Sequence, residues 1–172
     1  MDRNNHEIVG RALNYILRDA LAPYIARELE GQYKDLWWSE GVLAVVFEKM
    51  KRTLPLGGTY AELTDAMDIQ LCLVLMMDVH WEKIFSKKLS INHRNWLKET
   101  NTIRNEWAHP TPKSFSDSNT VRALDTMARL CEQIDADSTM EIRDLLREVA
   151  YGDAAGSMAG SGKPVDIPLR EQ

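Results

Sequence analysis

The chain has 172 residues, 44% hydrophobic and 27% charged, with a formal net charge of −5 and two cysteines. That balance suits one globular domain with a short extension and excludes a disordered, fibrous or disulfide-stapled chain. The longest apolar stretch, residues 69–77, is too short to span a bilayer, and the polar start MDRNNHE has no secretory apolar region. A cytoplasmic protein with reduced core cysteines, Cys72 and Cys131, is therefore expected.

Residues 5–31 predict a first helix. Ile8, Val9, Ala12, Leu13, Ile16 and Leu17 recur at helical spacing behind Asn4 and Asn5 as candidate caps. Pro23 predicts a kink or a restart, with Leu21, Tyr24, Ile25 and Leu29 continuing the apolar face. A second helix opens at Trp37-Trp38-Ser39-Glu40, with Ser39 as cap, and buries Val42, Leu43, Val45, Val46, Phe47 and Met50. It ends before the loop Pro55-Leu56-Gly57-Gly58. Residues 62–86 are apolar almost all round and predict the central helix of a bundle.

Ser90 caps a fourth helix through Ile91, Trp96, Leu97, Thr100, Ile103 and Trp107. Pro110 pushes the residue before it out of the α region, so this helix ends near His109. Ser116 or Asp117 caps a fifth helix carrying Val121, Leu124, Met127, Leu130 and Ile134, and a short sixth runs from Met140 to Tyr151. From Gly152 the chain turns rich in Gly, Ala and Ser, which predicts a helical domain over 1–151 and a flexible tail or linker over 152–172. No strand alternation is present, so the fold class is all-α.

Within the tail, Gly160-Ser161-Gly162-Lys163 has a fragment of a phosphate loop, but Ser157 and Pro164 stand where the full pattern needs glycine and a hydroxyl. His6, His80, His93 and His109 show no metal-ligand spacing, and no metal or cofactor is expected. His80 reads as a satisfied interior histidine, whereas His6 and His93 read as solvated residues near helix starts. The five tryptophans read as packing residues.

Residues 82–123 hold eight Lys or Arg against four Asp or Glu, so the rest of the chain carries the whole acidic excess. Any surface for a polyanion belongs to that segment. Within it, Arg104-Asn105-Glu106-Trp107-Ala108-His109 gathers an arginine, an amide and a histidine in the last turn of one helix, with Ile103 and Trp107 marking its buried side. A structural reading of the same residues pairs Arg104 with Glu106, Glu99 or Asp117 and leaves His109 to cap the helix end.

At these residues the sequence resembles the HEPN superfamily (higher eukaryotes and prokaryotes nucleotide-binding). The signature is an arginine, a polar neighbour and a histidine after four to six intervening residues, here Arg104, Asn105 and His109. The similar branch is the one named for the RNA endonuclease called synthetic lethal with TREX. The stretches NHEIVGRALNYILRDALAPYIAREL at 5–29, TNTIRNEWAHP at 100–110 and SDSNTVRALDTMARL at 116–130 carry the likeness.

The resemblance implies an up-and-down bundle of about five to six helices, dimerising through the motif helix. It further implies a metal-independent endoribonuclease of a toxin or phage-defence type, with Arg104, Asn105 and His109 as site residues. Some members carry a tyrosine two residues after the histidine as a regulatory target; Thr111 stands there instead. Lys83, Lys87, Lys88, Arg94 and Lys98 are candidate contacts to a single-stranded RNA backbone, with Lys113 and Arg122 as further options. The alternative is a catalytically inactive RNA-binding or dimerisation module attached to a defence ATPase or helicase, or held by an antitoxin.

Overall fold

The computed structural model describes residues 4–152, and among them every regular element is helical. The phosphate-loop fragment at 160–163 and all of the expected tail beyond Gly152 lie outside the described residues. The chain begins with α1 (Asn5–Arg11), capped by the Asn4 side chain, which accepts the Glu7 N–H at 3.2 Å. A π-type widening over Ala12–Leu17 leads directly into α2 (Arg18–Tyr33). Pro23 sits exposed inside α2; the irregularity falls upstream, where the Arg18 N–H reaches back to the Leu13 carbonyl.

This composite first helix holds the middle of the fold. Leu13, Leu17, Leu21, Ile25 and Leu29, each one turn from the next, are fully buried. Each such side chain contributes about 1.5–3 kcal/mol when removed from water. Packed around the row are α4 (Tyr60–Asp65) and α5 (Ile69–Val74) on the α2 side, with α7 (Asp117–Cys131) and α8 (Ala136–Tyr151) on the other. Cys72 and Cys131 are free thiols in this core, pushed up to about 12 chiefly by burial.

Two expected helices are shorter than their periodicity implies. The second yields a π-type turn over Ser39–Leu43 and a single turn, α3 (Glu48–Lys51). His80 Nε2 donates to the Gly41 carbonyl at 2.7 Å, taking that acceptor out of the helical ladder. Val45 and Phe47, expected inside, are exposed. Ser39 does not cap a helix; its hydroxyl donates to the Leu36 carbonyl.

The third expected helix, over 62–86, breaks at 66–68. Arg18 occupies the carbonyls of Thr64 and Met67 at 2.8 and 2.7 Å, and Asp68 starts a fresh helix by accepting the Leu71 N–H. A π-type continuation over Leu75–Val79 then ends at His80.

The second half of the chain follows its pattern more closely, although the fifth helix stops at Cys131, short of Ile134, and the sixth begins at Ala136, one turn before the expected Met140. The long α6 (Ile91–Ala108) begins at Ser90, α7 is capped by Ser116, and α8 by Asp135, whose carboxylate accepts the N–H groups of Asp137 and Ser138. Gly152, with φ of 54°, closes α8. Helices α6, α7 and α8 stack in sequence, and α1 lies across the junction of α6 and α7. No described helix is long and apolar enough to cross a membrane.

Candidate active site

The C-terminal end of α6 is fixed by its contact with α1. Trp107 Nε1 donates to the His6 carbonyl at 3.1 Å, and His6 Nε2 donates back to the Trp107 carbonyl at 2.9 Å. The two rings stack at 5.2 Å with 6° between their planes, and Phe115 closes on His6 from the side. Such close approach requires the absent side chain of Gly10, since a Cβ there would lie 2.6 Å from Trp107 Nε1. His6, expected to be solvated, is thus half-buried and clamps the motif helix.

Pro110 does what the sequence suggests. His109 leaves the helix with φ of −132° and ψ of 65°, while its N–H still bonds the Asn105 carbonyl at 3.1 Å. Its imidazole is exposed and, among the described residues, has no hydrogen-bond partner. Asn105 is exposed and Arg104 half-buried, both on the last turn of α6.

Two of the three alternative partners for Arg104 are engaged elsewhere, while Glu106 is exposed and makes no ion pair with it among the described residues. Glu99 binds Arg122 at 3.0 Å, and Asp117 accepts from Asn5 Nδ2 at 2.8 Å. Arg18, Arg122, Arg129, Arg143 and Arg147 sit in ion pairs, whereas Arg104, like Arg11, Arg27, Arg52 and Arg94, has none among the described residues.

Charge is segregated around α6. At about 100° per residue, Glu99 and Glu106 fall on one edge of the buried stripe and Arg94, Asn101, Arg104 and Ala108 on the other. The acidic edge borders α7, where Glu99, Glu106, Phe115 and Arg122 line a groove of about 350 Å³. The edge bearing Arg104 faces away from α7.

The expected backbone contacts are distributed unevenly. Lys83, Lys87 and Lys98 are exposed; Lys88 is exposed but paired with Glu28 at 3.0 Å. Arg94 is packed with its guanidinium 5.7 Å from the centre of the Trp81 ring. His93, expected to be solvated, is buried. Its Nδ1 accepts both the Ser90 N–H and hydroxyl, so its proton sits on Nε2, which has no partner among the described residues. Burial holds His93 and His80 below the usual imidazole range, against the opposing pull of Glu132 and of the Gly41 carbonyl respectively. Among the described residues no three His, Cys, Asp or Glu gather as metal ligands would.

Beside Trp107, away from α7, lies a second groove of about 610 Å³ lined by His6, Glu7, Arg11, Asn14 and Tyr15. Sequence reasoning placed none of these at the site. Gly10 inside an otherwise regular helix was the available signal for a close approach.

The family described as Swt1-like HEPN matches residues 11–135. No curated protein and no solved structure matches the chain.

Proposed function

The chain belongs to the Swt1-like HEPN family, and on that premise we propose that it is a metal-independent endoribonuclease acting on single-stranded RNA as a homodimer. The observation that carries this reading is the placement of Arg104: a half-buried guanidinium free of ion pairs among the described residues, five residues before an exposed histidine whose ring likewise has no partner among them. An arginine kept from its neighbouring carboxylates retains its five donors for an external anion.

RNA supplies its own nucleophile. The 2′-hydroxyl loses its proton to one His109 and attacks the adjacent phosphorus; the bond to the 5′-oxygen breaks, and that oxygen takes a proton from a second imidazole. The products are a 2′,3′-cyclic phosphate and a 5′-hydroxyl. An imidazole exchanges protons near neutral pH, but one ring cannot be base and acid on opposite sides of a phosphate in the same step. A dimer that opposes two α6 ends provides both rings. Arg104 places its charge on the phosphate oxygens as the pentavalent transition state forms, and Asn105 donates a hydrogen bond to them.

The net charge of −5, unfavourable for holding a polyanion, supports a second reading, an inactive dimerisation or partner-binding module. A toxin or phage-defence setting, with an antitoxin, ATPase or helicase partner, is proposed on the family likeness alone. The test is product analysis: purified protein with labelled RNA in EDTA, with light scattering in parallel. Cleavage to cyclic-phosphate ends by a dimer, with matching DNA left intact, supports the nuclease. A dimer that leaves RNA uncut supports the inactive module, and cleavage by a monomer removes the shared cleft.

A further inference from the structure

We propose that the groove between α1 and Trp107 seats a nucleobase of the single-stranded RNA, stacked on Tyr15, with Arg11 holding an adjacent phosphate. The proposal deepens the nuclease reading and rests on it for the identity of the ligand.

Tyr15 is the clearest sign. Its ring is 69% exposed on a helix whose neighbouring positions 12, 13, 16 and 17 are all buried. An aromatic face left open beside a groove is what base stacking uses. Arg11 is exposed one turn earlier and, like Arg104, has no ion pair among the described residues. Asn14 adds an amide between them, able both to donate to and accept from a base edge.

The backbone here carries one of three π-type segments among the described residues, the others lying over Ser39–Leu43 and Leu75–Val79. The π-type widening of the first helix covers Ala12–Leu17, so Asn14 and Tyr15 project from a wider turn than a regular helix gives. Such turns are rare and concentrate at sites of function.

Position ties the groove to the chemistry. Trp107 forms its wall, and Arg104 stands three residues before Trp107 on the same helix, at about 5–6 Å between Cβ atoms. No residue of α7 lines the groove, which therefore opens away from the acidic edge that α6 shares with α7. One carboxylate, Glu7, does line it, and its charge opposes the phosphate.

The test uses a labelled single-stranded 2′-O-methyl oligonucleotide, which keeps bases and phosphates but has no free nucleophile. Anisotropy then reads binding independently of cleavage. Tyr15→Ala is expected to weaken binding about 5- to 100-fold and Tyr15→Phe to retain it, as loss of one stacked base requires. Arg11→Ala weakens binding and lowers its salt dependence by about one phosphate contact. Glu7→Gln tightens it.

The groove assignment is overturned if Tyr15→Ala binds as the parent does, or if the intact protein does not bind the oligonucleotide. It is also overturned if the loss in Tyr15→Ala coincides with dimers falling to monomers on sizing, since the groove is then an interface between copies. Binding that follows these expectations in a protein unable to cut ordinary RNA upholds the groove and removes the nuclease reading instead.

Discussion

Gly10→Ala should loosen the end of the motif helix, although alanine is the better helix former. The added Cβ would sit 2.6 Å from Trp107 Nε1 and 3.0 Å from two further indole carbons. The ring cannot simply swing aside, because it is stacked on His6 and bonded to the His6 carbonyl. Overpacking of this kind costs about 1–3 kcal/mol, and the strained indole bond is worth about 0.5–1.5 kcal/mol. Against these stands a helix-propensity gain of about 1 kcal/mol. The net is a destabilisation of about 0.5–3.5 kcal/mol, or a fall of roughly 0.3–1.8 M in urea midpoint at an m-value of about 2 kcal/mol/M.

Gly31→Ala is the matched control, since a Cβ there meets nothing within 4 Å. It should raise stability by up to about 1 kcal/mol. Cleavage should fall in Gly10→Ala and not in Gly31→Ala, because Trp107 and Arg104 share the last turns of α6. If both substitutions stabilise alike, the α1–α6 clamp as described is wrong.

Acid should weaken the fold. His80 and His93 both sit below the usual imidazole range, so the folded state binds fewer protons than the unfolded one once pH falls through about 6.5. Their contribution is complete above that pH and lost progressively below it. The urea midpoint should be lower at pH 5.5 than at pH 7.5, with a smaller drop in His93→Gln; equal midpoints in the parent protein contradict the burial argument. Thr100→Val should be neutral or stabilising in thermal melts, because the Thr100 hydroxyl is fully buried with no partner among the described residues. A loss of more than about 1 kcal/mol would mean that this hydroxyl does have a partner.

The second half of the molecule was legible because its signals are local. Ser90, Ser116 and the His109-Pro110 pair each act within a few residues, and α6 begins and ends, and α7 begins, where they indicate. The first half was less so, because distant groups interrupt its periodicity. His80 takes the carbonyl of Gly41, and Arg18 takes those of Thr64 and Met67. No pattern within residues 39–50 or 62–86 announces these visitors.

The same limit governs the site. Arg104, Asn105 and His109 were readable as a motif, and the helix end between them follows from Pro110. That His6 stacks on Trp107, and that Glu99 and Asp117 are engaged elsewhere, depends on contacts between residues 20 to more than 100 positions apart.

The most direct measurement is the initial rate of cleavage of a single-stranded RNA in EDTA by the intact protein and by His109→Ala. His109 is exposed and unpartnered among the described residues, so the substitution should leave folding unchanged, and light scattering alongside the assay checks that the dimer persists. The rate should fall about 10²–10⁴-fold, the range expected for losing a general acid–base. A variant that cuts at the parental rate contradicts the assignment of the chemistry to the end of α6.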